Sequence, residues 1–288
     1  MAGGAVLAGA GAVELVDHEV IPGKSVLDQI DGACDVAAAP FVSRGVGPQF
    51  SGAFVSRARR KVVGYTVGYP PGFSRGSALP LVVMLHGEGE NHRRALAGLT
   101  PAQAVGLKVD GAPLAPMALV TVDGGLGYWH PHRGDDPMGM VVDELIPMLQ
   151  GWGLGRPPHR IGAMGISMGG YGALVFAEHH PALFSAVAAI SPAIWTSYAQ
   201  ARAVNRLAYD DAAQFARYDA VAHASALART PVRIAAGFDD PFYPGVAALR
   251  DHLGATATFV VEGGCHTGPF FQAQEPGSLA FLSAHLAV

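Results

Sequence analysis

A succession of short, almost unbroken apolar runs, separated by helical stretches, limits what this chain can become. Leu79–Leu85 (LPLVVML) and Met117–Val122 (MALVTV) have no polar alternation. Strands of that kind are covered on both faces. Phe184–Ile190, Val232–Ala236 and Ala257–Val261 read the same way, and Arg160–Ile166 is a short strand. Val62–Tyr69 alternates like a half-buried strand and ends at Pro70-Pro71-Gly72. Between these runs, Val141–Leu149 reads as a helix limited by Pro147. Tyr171–His180 is a helix stopped by Pro181, and Gly277–Leu286 is a closing helix. Strands alternating with helices imply a mostly parallel central sheet with helices on both faces.

Composition agrees. Of 288 residues, 50% are hydrophobic and 15% charged, which excludes an intrinsically disordered chain. Nineteen Lys and Arg against 23 Asp and Glu give a net charge of −4, so no basic face for nucleic acid is expected. No run reaches the ~18–20 apolar residues of a membrane span. The chain divides into residues 1–16, an N-terminal arm at 17–60, and an α/β domain at 61–288. That domain carries a helical excursion above the sheet at about 193–228. Met1–Val16 is small and apolar, without a preceding basic residue, and Glu14 interrupts it. It reads either as the remnant of an export signal or as a flexible or docked N-terminus. Ser25–Asp28 resembles a helix start with a capping box. Arg57, Arg59, Arg60 and Lys61 read as a solvated strand edge.

The chemistry is carried by Gly165-Ile166-Ser167-Met168-Gly169-Gly170. This G-x-S-x-G follows a strand and opens a helix, as a nucleophile elbow requires. The turn lifts the serine hydroxyl to the carboxyl end of the sheet and aims the Met168 N–H at a developing oxyanion. A hydroxyl needs a base oriented by an acid. Downstream, Val232–Ala236 runs into Gly237-Phe238-Asp239-Asp240-Pro241, and Ala257–Val261 into Glu262-Gly263-Gly264-Cys265-His266. His266 is the expected base. Asp240 is the preferred acid, because Pro241 fixes the backbone beside it, with Asp239 as the alternative. The second oxyanion donor is expected from Leu85-His86-Gly87-Glu88-Gly89, at the Glu88 N–H and next at Gly87, with His86 bracing the loop. The loop from Asp123 to His132 follows another strand, and Tyr128, Trp129 and His130 are expected to form a substrate wall. His130 and His132 near Asp135 and Asp136 could suit zinc, but no further cluster supports it, so neither metal nor cofactor is expected. Cys34 and Cys265, the two cysteines, are either unrelated thiols or a disulfide tethering the arm beside His266.

The segments S-M-G-G-Y-G-A-L (Ser167–Leu174), G-F-D-D-P-F (Gly237–Phe242) and G-G-C-H (Gly263–His266) resemble the putative-esterase branch of the α/β-hydrolases. That branch includes S-formylglutathione hydrolases, feruloyl and acetyl-xylan esterases, and secreted mycolyltransferases. The resemblance covers roughly residues 60–288. It implies an α/β-hydrolase fold, the triad Ser167, Asp240 and His266, and oxyanion N–H groups from Met168 and Glu88. The segment His86–Glu90 departs from the formylglutathione-hydrolase patterns. Tyr128–Pro137 is closer to exported actinobacterial esterases. The expected function is a serine carboxylesterase acting through an acyl-enzyme on a small-molecule, lipid or carbohydrate ester. The alternatives are an envelope acyltransferase with the same triad and a non-catalytic binding protein of the same fold. The expected location is secreted or cell envelope, with the cytoplasm as the alternative. The sequence leaves the oligomeric state open.

Overall fold

A computed structural model describes residues 34, 41, 43, 45–254 and 257–287. The expectations for Met1–Val16 and for a helix start at Ser25–Asp28 fall outside them. The apolar runs become the strands of one eight-stranded sheet. In chain order its strands are β1 (Gln49–Ser56), β2 (Lys61–Gly68), β3 (Leu81–Leu85), β6 (Ala118–Val122), β7 (Ile161–Ile166), β8 (Phe184–Ile190), β9 (Val232–Gly237) and β10 (Ala257–Glu262). A separate hairpin pairs β4 (Lys108–Val109) with β5 (Ala112–Pro113). The spatial order is β1-β2-β6-β3-β7-β8-β9-β10. The β1–β2 and β2–β6 pairs are antiparallel, and every pair from β6 to β10 is parallel.

Each residue of β3, β6, β7 and β9 is buried, because helices cover both faces of the sheet. The two faces are visible within β3. Leu81, Val83 and Leu85 join a core that includes Met168, Leu174 and Phe176 of the helix Met168–His179. Val82 and Met84 join the opposite core, with Leu279, Leu282 and Leu286 of the helix Gly268–Leu286. Each such side chain contributes roughly 1.5–3 kcal/mol when taken out of water. No described helix is long and apolar enough to cross a membrane.

Several boundaries differ from the sequence reading. Residues 49–56, assigned to the arm, form β1 and extend the sheet. Only one side of this edge strand is covered: Phe50 packs on Tyr69 and Trp152, and Phe54 on Tyr65. Ser51, Gly52 and Ser56 dilute the apolar alternation that would have marked it. The basic cluster is not simply solvated. Arg59 is buried at the β1–β2 turn, with Nε and Nη2 donating to the two Asp135 carboxylate oxygens at 2.7 and 2.9 Å. Its Nη1 donates to the Asp123 carbonyl at 2.6 Å. Lys61 also reaches Asp135, at 2.7 Å. Burial raises the Asp135 carboxyl, but the two cations outweigh it and hold the group below its ordinary range.

The stretch read as Val141–Leu149 starts earlier, at Pro137–Gly139. It passes through the π-helical segment Met140–Leu145 and ends in Ile146–Gln150. Pro147 lies directly after the π-helical segment and has no N–H to give the preceding turn, so the irregular winding sits where the proline interrupts the ladder. The closing helix begins at Gly268 and contains Pro276, because burial of Phe270, Gln274 and Glu275 on one side and Leu279 and Leu282 on the other outweighs one lost backbone bond. The excursion at 193–228 holds the short helices Tyr198–Val204 and Ala212–Arg217 and the 3₁₀ turn Ala224–Leu227.

Candidate active site

The serine turn is built by two close approaches. Strand β7 ends at Ile166, Ser167 adopts φ 56°, ψ −120°, and the helix starts at Met168. A Cβ on Gly165 would lie 2.0 Å from the Gly169 carbonyl oxygen, and one on Gly169 would lie 1.9 Å from that of Leu85. Only glycine lets β7, its helix and the end of β3 meet so closely. The strained serine is held on both sides of its peptide plane. Its N–H donates to the Ile190 carbonyl at 2.9 Å, and its own carbonyl accepts from Tyr171 and Ala193 at 3.0 Å.

The parallel ladder then sets the spacing of the other loops. β9 delivers Asp240 and β10 delivers His266 at the same end of the sheet as Ser167. His266 Nε2 lies 2.8 Å from Ser167 Oγ, and His266 Nδ1 lies 2.9 Å from Asp240 Oδ2. Asp240 is 1% exposed, and its second oxygen accepts from the Phe242 N–H at 2.8 Å. Asp239, the alternative acid, is half-buried with its N–H on the Gly264 carbonyl. The rings of Phe242 and Phe271 flank the His266 imidazole, each 5.0 Å away. Cys34 and Cys265 form a disulfide, so residue 34 is fastened one residue before His266.

The loop after β3 is braced from below by His86. Its Nε2 accepts from the Gly124 N–H at 2.9 Å, and Nδ1 donates to the Gly87 carbonyl at 2.7 Å. That pattern fits the neutral ring, and burial lowers the pKa of His86, which keeps it neutral. Asp123 ties the same region together. Its carboxylate accepts from the His92 N–H at 2.8 Å and from the Gly64 N–H at 3.0 Å. Gly87 and Glu88 line a cleft with Ser167 and His266, and Met168 lies beside the serine. As the first residue of its helix, Met168 has an N–H with no acceptor inside that helix.

The cleft has a volume of about 510 Å³. Tyr128 lines it, as the sequence reading places it, but Trp129 and His130 do not. Both are buried beneath the loop surface. Tyr128 and Trp129 take positive φ values of 51° and 64°, which turn the next two side chains inward. The Trp129 ring covers Gly124 and Gly172, and its Nε1 donates to the His86 carbonyl at 3.1 Å. His130 is stacked between Tyr209 and Tyr218 of the excursion, with ring centroids 4.9 and 4.7 Å away. Burial, then the neighbouring His132, push its pKa down to about 3. Asp135 and Asp136, weighed as metal ligands, are otherwise engaged: Asp135 with Arg59 and Lys61, Asp136 as the cap of Pro137–Gly139. Trp195, Phe242 and Phe271 were missed as cleft residues. Phe242 and Phe271 ride two and five residues behind Asp240 and His266, a proximity that sequence alone could have exploited.

Fold and family together give the class, a carboxylic ester hydrolase. Residues 60–244 match the model of the family described as Putative esterase, and the chain belongs to that family. No curated protein matches the chain. Among solved structures, it is similar to a ferulic acid esterase at 18% identity and TM-score 0.68, covering 86% of this chain and 100% of that one. It is also similar to an S-formylglutathione hydrolase from Agrobacterium tumefaciens, at 19% identity and TM-score 0.64 over 86% of this chain and 100% of that one. MPT51 of Mycobacterium tuberculosis matches at 16% identity and TM-score 0.61, over 87% and 100% of the respective chains. At such identities the likeness bears on the fold, an α/β-hydrolase fold with a mostly parallel sheet.

Proposed function

We propose that the chain is a serine carboxylesterase that works through an acyl-enzyme on Ser167. The observation that carries this is the continuous relay Ser167 Oγ, His266, Asp240, with contacts of 2.8 and 2.9 Å at the floor of the cleft. His266 Nε2 accepts the Ser167 proton as Oγ attacks the ester carbonyl. Asp240, buried and acceptor-only, keeps Nδ1 protonated and stabilises the imidazolium that forms. The Met168 and Glu88 N–H groups bind the oxyanion, each worth about 3 kcal/mol of barrier. His266 returns its proton to the departing alcohol. Water, activated by the same imidazole, then releases the acyl group.

The substrate is a small-molecule, lipid or carbohydrate ester whose acyl or alcohol part fits among Tyr128, Leu96, Trp195, Phe242 and Phe271. The Cys34–Cys265 disulfide supports an extracytoplasmic location, since cytosolic thiols are kept reduced. Initial rates on p-nitrophenyl esters from acetate to palmitate, with Ser167→Ala alongside and labelling by a fluorophosphonate, test the reading. Ser167-dependent turnover supports it. Absence of both turnover and labelling overturns it. For the location, two free thiols in the denatured, unreduced protein would remove its basis.

A further inference from the structure

Glu88 is an awkward residue to find at an oxyanion site. Its backbone N–H is the proposed donor, yet its side chain is a carboxylate that would oppose negative charge on the substrate oxygen. The turn that carries it is closed on itself, the Glu90 N–H donating to the Gly87 carbonyl at 3.2 Å, but its outer side is open to solvent. Glu88 and Gly89 are exposed, and Gly89 has φ +77° with nothing within 4 Å of where its Cβ would be. Among the described residues, the one hydrogen bond of the Glu88 side chain goes to the excursion. Asn205 Nδ2 donates to Glu88 Oε1 at 2.9 Å, across 117 residues of sequence.

Asn205 is well placed to hold something still. It is 7% exposed and ends the helix Tyr198–Val204. Its N–H donates to the Ala201 carbonyl at 2.8 Å, its carbonyl accepts from Ala208 at 3.2 Å, and its Oδ1 accepts from the Leu207 N–H at 2.8 Å. Every polar group of the residue is therefore engaged, and Nδ2 points in one direction. Val204 and Glu88 both line the cleft, so the bond joins two of its walls.

We propose that Asn205 is a positioning residue: by holding the Glu88 carboxylate against the excursion, it fixes the Glu88 N–H for the oxyanion and keeps the charge out of the cleft. This rests on Ser167 being the nucleophile. Without the bond, the carboxylate swings freely beside the reacting carbonyl and the loop that carries the donor loses its outer anchor.

The test reverses the polarity of the bond. In Asn205→Asp, two carboxylates face each other and the bond is lost at neutral pH. In the double variant Asn205→Asp/Glu88→Gln, the introduced amide donates to the introduced carboxylate, and the Leu207 N–H keeps its acceptor. On a p-nitrophenyl ester, Asn205→Asp should lower kcat about ten- to a hundredfold with KM within about threefold, less than loss of a whole oxyanion donor. The ratio of its kcat to that of wild type should recover as pH falls and the two carboxyls share a proton, and the double variant should come back to within about threefold of wild type. A simple packing role predicts neither the recovery in acid nor the rescue. If Asn205→Asp does not fold, Asn205→Ala and the double variant carry the same comparison. An active wild type with Asn205 variants at full kcat, or a folded double variant without rescue, overturns the bridge alone. A wild type with no Ser167-dependent turnover removes the serine reading and the bridge with it.

Discussion

Two aspartate–histidine pairs in this molecule have the same bond length and opposite meanings. His266 Nδ1 meets Asp240 at 2.9 Å, and His132 Nδ1 meets Asp210 at 2.9 Å. What separates them is the other ring nitrogen. His266 Nε2 faces the Ser167 hydroxyl, which can give up a proton. His132 Nε2 faces the Gly127 carbonyl at 2.7 Å, which cannot. With acceptors on both sides, His132 has no hydroxyl from which to take a proton. Burial differs too: Asp240 is 1% exposed and Asp210 30%. On the proposed reading the first pair is a proton relay at the end of the sheet. The second is a clamp, in which Asp210 also accepts from the Arg133 N–H at 3.1 Å and so pins the excursion to the loop after β6.

The sharpest way to break this contrast is to remove the hydroxyl that faces His266 in the first pair and the histidine itself in the second. Ser167→Ala should lower kcat by at least about 10⁴-fold, whereas His132→Gln should leave it within about threefold. Asp240→Asn should cost about 10³- to 10⁴-fold in kcat with the fold intact. Asp210→Asn should instead show up in thermal unfolding, lowering Tm by about 2–4 °C for a loss near 1 kcal/mol. The clamp also has a pH signature. The bond from His132 holds the Asp210 carboxyl below its ordinary value. Its stabilisation is therefore present above the usual carboxylate range and is lost as pH falls through the lowered value, so the Tm gap between wild type and Asp210→Asn should close in strong acid.

The Cys34–Cys265 disulfide sharpens the comparison from the His266 side. Cys34→Ser, or reduction, should lower stability by about 2–5 kcal/mol, read as a lower midpoint in denaturant. A further contrast concerns a carboxyl with no histidine at all. Glu275 is fully buried on the closing helix and accepts from the Ala97 N–H, and burial raises its pKa to about 8. An acid raised in the folded state costs stability as pH climbs from its ordinary range towards 8. Glu275→Gln keeps an acceptor for Ala97 without that cost. Its Tm should gain on wild type between about pH 5 and 8 and stay level above.

Much of the fold was legible because buried parallel strands leave no room for polar alternation. Residues 184–190 carry the pattern from end to end, and the observed strand has the same limits. The order of Ser167, Asp240 and His266 was legible for a related reason: each follows an apolar run directly, and parallel strands align their carboxyl ends. What stayed hidden depends on partners far away in the chain. β1 is covered on one side only, so its pattern is thin. Arg59 reads as a surface cation until Asp135 and the Asp123 carbonyl are brought to it. Trp129 and His130 look like a substrate wall because their inward turn comes from two positive φ values that no composition rule announces. The link from Asn205 to Glu88 spans 117 residues and has no local sign.

The contact between Gly169 and the Leu85 carbonyl has one more consequence. It makes the distance from Ser167 to the loop after β3 first of all a property of the β3–β7 ladder. On the proposed reading, a redesign that trades residues 196–228 for another cover, with a donor kept opposite Glu88, alters which esters enter while the reacting atoms keep their places. In such a library selectivity becomes the variable, and turnover chemistry the constant.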